Sequence, residues 1–201
     1  MIPRTLVRTV PEHTSEETEE LWRIATGLHP EWEWVTLRDP IDRDGFPITS
    51  PHWDNCQTGA QLADLVRAEY LYHNGGVYID SDYLCWKSFD TLVSCGAFAA
   101  WEDDRAIPNA VMGFAPGHPA LAQILGLAVA RQSLGTWEAG VGVTTEVFKG
   151  RDDILLLPPG VFYPVHYTHK ALITDLDQIR GSNPWAFGVH LWHHSWRTDN
   201  G

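Results

Sequence analysis

One stretch narrows the possible folds more than any other. From Gly59 to His73, Leu62, Leu65, Val66 and Leu71 recur at helical spacing. The pattern stops at Asn74-Gly75-Gly76, as a helix end requiring positive φ would. Val77-Tyr78-Ile79 follows at once as a short β-type run, and it leads directly into Asp80-Ser81-Asp82. In an extended chain, residues i and i+2 project to the same side. At the end of a buried strand, two such carboxylates face the crevice where α/β folds bind ligands.

The remaining elements fit the same plan. Thr5–Val10 reads as a buried strand, and Thr14 with Glu17 as a capping box for a helix that ends near Gly27. The acids of its first turn, Glu16, Glu17, Glu19 and Glu20, suit the positive end of the helix dipole and read as solvated surface. Strands are expected over 32–37, 97–101, 111–114, 154–157 and 186–192, and a helix over 119–134. The segment 39–51, rich in Asp, Pro and Gly, reads as loop. Strands alternating with helices predict one α/β domain, 1–201, with a mostly parallel central sheet flanked by helices.

Composition excludes several classes. The chain has 201 residues and a net charge of −12, which disfavours a broad basic nucleic-acid surface. It shows no apolar run long enough to span a bilayer, and the segment from Met1-Ile2-Pro3-Arg4 lacks the long apolar stretch expected of a signal peptide. Cys56, Cys85 and Cys95 are too few and too scattered for a disulfide framework or zinc knuckle. A reduced cytoplasm is the expected compartment.

Asp-x-Asp alone is weak evidence: fifteen Asp in this length yield roughly one by chance. Three occur, and context separates them. Asp42-Arg43-Asp44 lies in a polar loop and Asp175-Leu176-Asp177 in a short helical or turn segment; only Asp80-Ser81-Asp82 follows a strand. Hard divalent ions take carboxylates together with substrate phosphates, so this pair suits a metal–diphosphate. Asp64 and Arg67, three apart on a helix, share a face and suit sugar hydroxyls, with Arg67 also near phosphate. Glu102-Asp103-Asp104 reads as solvated loop, with the acceptor side as its functional alternative. His190, His193 and His194 do not supply a convincing three-ligand zinc site in a strand or loop.

The run Ala63-Asp64-Leu65-Val66-Arg67 with Leu71 to Asp82 resembles the sugar-transferase Asp-x-Asp region of glycosyltransferase family 32. This family holds yeast-type α-mannosyltransferases, bacterial capsule enzymes and, more distantly, large glucosylating toxins. Ile2-Pro3-Arg4, Phe162-Tyr163-Pro164 and His190-Leu191-Trp192-His193-His194-Ser195-Trp196 resemble further family segments in the right order. Gly142-Val143-Thr144-Thr145 departs from the family's Gly-Pro pair, which leaves the acceptor-side wall unassigned. The resemblance implies a GT-A fold and a metal-dependent retaining hexosyltransferase. Its donor would be a UDP- or GDP-linked sugar, its acceptor a glycan or protein, and its cofactor Mn²⁺ or Mg²⁺.

By position, the resemblance gives Asp80, Asp82, Arg67 and Asn109 catalytic roles. It gives Ile2, Pro3, Asp64, Arg67, Tyr78, Asp80, Ser195 and Trp196 donor contacts, and makes Asp82 and His190 metal ligands. It implies no protein nucleophile or general base. The short chain, without a membrane anchor in its sequence, is expected to be a soluble bacterial or phage-type enzyme. Two alternatives stand beside this reading. A GT-A-like nucleotidyltransferase would want a Gly-rich, basic phosphate loop near the N-terminus, and none is present. A silent sugar- or nucleotide-binding module would not need the paired aspartates.

Overall fold

The computed structural model describes residues 1–193. A six-stranded sheet runs in the order β2(Glu33–Arg38)–β1(Thr5–Val10)–β3(Gly76–Ile79)–β6(Val111–Phe114)–β5(Ala97–Ala100)–β7(Leu155–Leu157). Its pairs are parallel except the two made by β6, so five strands point one way and β6 alone runs back. The expected mostly parallel sheet is therefore present. A two-stranded antiparallel sheet joins β4(Tyr83–Cys85) to β8(Gly188–His190).

The sheet is buried on both faces, which is why its central strands read as continuous apolar runs rather than alternating ones. Leu6, Val77 and Ile79 pack on one side with Phe89, Phe98 and Phe162. Val7 and Tyr78 pack on the other with Ala68 and Leu71 of α2(Gly59–Asn74) and Leu121 and Ile124 of α3(Pro119–Ala130). Alternate residues of one strand thus serve opposite cores. Gly75 (φ 69°) and Gly76 (φ 115°) make the change from α2 to β3, and a side chain at Gly75 would collide with Pro3 and the Phe114 carbonyl.

Several boundaries differ from expectation for local reasons. Helix α1(Glu16–Gly27) is capped by Ser15, whose side chain accepts from Thr18 N; the Thr14 hydroxyl instead donates to Glu19. Glu19 is not merely solvated. It sits 2.6 Å from Arg8 of β1 and 2.9 Å from Arg38 of β2, fastening the helix to two strands. The helix expected to reach residue 134 ends at Ala130, and a separate 3₁₀ turn spans Gln132–Leu134. The strand expected over 186–192 shrinks to β8, because Trp192 adopts φ 60° and turns the chain. Segment 39–51 contains the 3₁₀ turn Arg43–Gly45 and the start of another, Ser50–Asn55. The short helices α4(Thr136–Ala139), α5(Val141–Phe148) and α6(Leu176–Ser182), and strand β4, carry no periodicity long enough to announce them.

Candidate active site

The C-terminal ends of β1, β3 and β5, together with the chain entering the reversed β6, open onto a cavity of about 1100 Å³. Asp80 and Asp82 stand on its floor, as ligand groups should at the carboxyl edge of such a sheet. Strand β8 supplies the third member. His190 Nε2 lies 3.0 Å from Asp82 Oδ1 and 3.5 Å from Asp80 Oδ2. The ligand atoms of all three fall within 4.8 Å of one another.

This trio fits a divalent cation. Both His190 ring nitrogens are buried without a hydrogen bond of acceptable geometry among the described residues, although Nε2 is close to two carboxylates. Two carboxylates and an imidazole form a donor set that would suit a borderline-to-hard divalent ion such as Mn²⁺. Burial works against a charge on His190, but Asp82 and Asp80 outweigh it and push the imidazole up to about 10. The backbone holds this arrangement from the other direction. Leu191 N donates to the Asp82 carbonyl and His193 N to Asp82 Oδ2, each at 3.0 Å.

Beside the trio, α2 delivers Asp64 and Arg67 from one buried face, as their spacing implies. Arg67 Nη1 donates to the Asn109 carbonyl and forms an ion pair with Asp80 Oδ1, both at 3.0 Å, and Nη2 lies 3.3 Å from Asp64 Oδ1. Asn109 Nδ2 donates to the same Asp64 oxygen at 2.8 Å. Burial opposes the Arg67 charge, yet the surrounding carboxylates raise its pKa overall, Asp80 most. Asp64 gets the weaker share of the cation, and burial pushes its carboxyl up to about 6.

Tyr78 occupies a different place from the donor contact expected of it. It is fully buried beneath the cavity floor, and its hydroxyl donates to Asp80 Oδ1 at 2.9 Å. With that proton engaged, Thr9 Oγ1 is left to donate to Tyr78 Oη at 2.7 Å. The residue therefore orients Asp80 from beneath the floor. Ile2 and Pro3 also depart from the donor contacts implied for them. They precede β1, at the edge of the sheet opposite the cavity, where Ile2 N donates to the Val93 carbonyl and Ile2 lies in the core. Ser195 and Trp196, with His194, lie outside the described residues.

His166 and Tyr167 escaped the sequence reading; with Trp137, Trp192 and Glu102, whose acidic run had the acceptor side as its alternative, they border the cavity from separate loops that only the fold brings together. Gly140 is a second omission. Any side chain there would run into Asp64 Oδ2, so glycine lets the start of α5 close over that carboxyl.

Residues 15–99 match the family described as glycosyltransferase sugar-binding region containing DXD motif. Inositol phosphoceramide mannosyltransferase 2 of Schizosaccharomyces pombe is 32% identical over 127 residues, 59% of this chain and 36% of that protein. Mannosyl phosphorylinositol ceramide synthase SUR1 of Saccharomyces cerevisiae is 29% identical over 128 residues, 59% and 32% of the two chains. The chain thus spans about a third of the length of these curated relatives. Among solved structures, PaToxG glycosyltransferase superposes with a TM-score of 0.63 at 18% identity, covering 97% of this chain and 81% of the other. The galactosyltransferase LgtC superposes with 0.52 at 12% identity, covering 97% and 90%. The fold is GT-A, and the chain resembles the glycosyltransferases that carry a DXD motif.

Proposed function

We propose that this chain, bearing the sugar-binding region of the DXD-motif glycosyltransferases on a GT-A fold, transfers a sugar from a UDP- or GDP-linked donor to a glycan or protein acceptor. The observation that carries this is the meeting of Asp80, Asp82 and His190 with the Arg67–Asp64–Asn109 network on one cavity floor. Asp80, Asp82 and His190 would hold Mn²⁺ or Mg²⁺. The cation supplies a Lewis acid that neutralises charge on the departing diphosphate. Arg67 is prepositioned by three oxygens and adds fixed positive charge to that region, an arrangement that favours a developing anion without reorganisation. Asp64 borders the cavity and would accept hydrogen bonds from donor-sugar hydroxyls, while Asn109 holds its carboxylate still. Retention of configuration is proposed from the resemblance alone.

Asp64, Asp80 and Asp82 make the floor acidic, so a diphosphate needs the cation to settle there. The same reading makes this a cytoplasmic enzyme. The free thiols Cys56, Cys85 and Cys95 support a reducing compartment.

The test is a donor panel: nucleotide release from UDP- and GDP-sugars with and without Mn²⁺, and the anomeric configuration of the product by NMR. Metal-dependent release with retained configuration is expected, and Asp82→Asn should reduce it at least 100-fold while circular dichroism is unchanged. Absence of release and of metal-dependent nucleotide binding across the panel would refute the transferase reading.

A further inference from the structure

We propose that Glu102, held by His166, is the acceptor-side contact of the cavity and selects an uncharged polyhydroxylated ring over an anionic one. This rests on the transferase reading, which it deepens by naming the acceptor's chemistry. Glu102 follows β5, whose end reaches the same sheet edge as Asp80, and it is only 8% exposed although it borders the cavity. Its backbone N–H donates to the Ala106 carbonyl at 2.9 Å, which closes a tight loop and fixes the side chain's origin.

The carboxylate is half engaged. Oε1 receives a long contact from Tyr167 N at 3.5 Å and lies 3.4 Å from His166 Nε2. Oε2 makes no hydrogen bond among the described residues and is not sealed from solvent, so its open side is the cavity. Thr168 N donates to His166 Nδ1, which makes Nδ1 an acceptor and places the ring proton on Nε2, toward Glu102 and Asp103. The imidazole is therefore oriented to hold the carboxylates, and an ionised carboxylate can only accept hydrogen bonds.

Position assigns this pair to the acceptor. Thr9 and Val10 at the end of β1, with Ile41, border the cavity, and the crevice at such strand ends takes the nucleotide. Glu102 and His166 also border the cavity, and Glu102 follows β5, which β3 and β6 separate from β1 in the sheet. The Trp192 ring, 4.0 Å from the His190 ring and 6.1 Å from the Tyr167 ring, borders the same cavity. An acceptor beside the anomeric carbon would present hydroxyls to Glu102. An anionic one would meet Glu102 and Asp103, with Arg105 at the rim 85% exposed to water.

The experiment uses the whole chain with Mn²⁺ and the donor found by the panel. Methyl hexosides are the neutral probes and methyl hexuronosides the anionic ones. In Glu102→Gln the KM for the neutral probe should rise at least tenfold, while the Kd for the nucleoside diphosphate with Mn²⁺ stays within twofold. The preference for neutral over anionic probe should narrow in the same variant. Unchanged acceptor KM, a parallel loss of nucleotide affinity, or a wild-type preference for the hexuronoside would each overturn the inference. Should Glu102→Gln not fold, His166→Gln carries the same readouts. A wild-type protein that releases nucleotide but follows none of these trends rejects this inference alone. One that neither releases nor binds nucleotide rejects the transferase reading beneath it.

Discussion

The Arg67 guanidinium lies 4.4 Å from the centre of the Tyr78 ring, so a helix residue is stacked on a strand residue directly beneath the cavity. Each also meets Asp80 Oδ1, Arg67 Nη1 as an ion pair and the Tyr78 hydroxyl as a hydrogen-bond donor. One carboxylate oxygen is thus fixed from two directions, leaving Oδ2 facing His190. Such stacking uses the planar cation that only arginine provides.

Arg67→Lys should therefore behave as a severe change. An ammonium cannot reach Asp64, Asp80 and the Asn109 carbonyl together or stack flat on Tyr78. We expect kcat/KM to fall by about 100-fold or more. Stability should drop by about 3 kcal/mol, because buried carboxylates lose their partner. Donor kinetics and urea denaturation measure the two effects, and near-normal values in both would remove Arg67 from the centre of the site.

Tyr78→Phe isolates the support given to Asp80. The ring and its stacking remain, while the hydroxyl between Thr9 and Asp80 is lost. A stability loss of about 1 kcal/mol is expected from the unmade bonds. Turnover should fall about tenfold while nucleotide Kd changes less. Equal losses in turnover and affinity would show that Tyr78 acts as general core rather than through Asp80.

Gly140→Ala should act at a distance from α5 onto α2. The new methyl overlaps Asp64 Oδ2 and must displace either the carboxyl or the backbone. A rise of about tenfold in donor KM is expected, with far-UV circular dichroism preserved. Unaltered donor kinetics would mean that Asp64 has room to move.

The pH response of Asp64 carries a definite sign. Burial raises its folded value to about 6, above that of the unfolded chain, so the folded protein binds the proton more tightly. Its contribution to stability is full below pH ~4 and is lost as pH rises through about 6. Nucleotide release that needs the ionised carboxyl should rise through the same window. Asp64→Asn should flatten both profiles, and an acid limb that persists in this variant belongs to another group.

Glu19 has the opposite sign. Thr14, Arg8 and Arg38 hold it down to about 2, so its contribution is full above pH ~4.5 and is lost as pH falls through about 2. The carboxyl is 43% exposed, which screens the pair, whereas the Arg8 side chain is 3% exposed. Glu19→Gln should cost about 1 kcal/mol near neutral pH, with the difference vanishing toward pH 2. Denaturation midpoints across that range are the measurement.

The strand positions and the Asp-x-Asp were legible because both follow from short-range patterns: apolar runs, glycine stops and the period-two projection of Asp80 and Asp82. The Asp64–Arg67 pairing was legible for the same reason, through helical spacing. Resemblance added His190, which no local pattern distinguishes from the neighbouring histidines. Ile2 and Pro3 show the limit of position-by-position transfer, since they precede β1 and lie across the sheet from the cavity. Glu102 was noticed only as part of an acidic run that could face the acceptor; its partner His166 and the role of Gly140 were invisible, because their meaning lies in contacts between distant loops. Glu19 looked like surface in a row of four acids, and only the approach of β1 and β2 singled it out.

The tie between Asp82 and His193 spans 111 positions of sequence. During synthesis, the paired aspartates leave the ribosome long before the residues that complete their site. Closing so long a loop is slow and entropically costly, so the trio should assemble among the last native contacts. A partly made chain would then display the Asp-x-Asp without its histidine. Cation capture becomes a sign that the fold is finished.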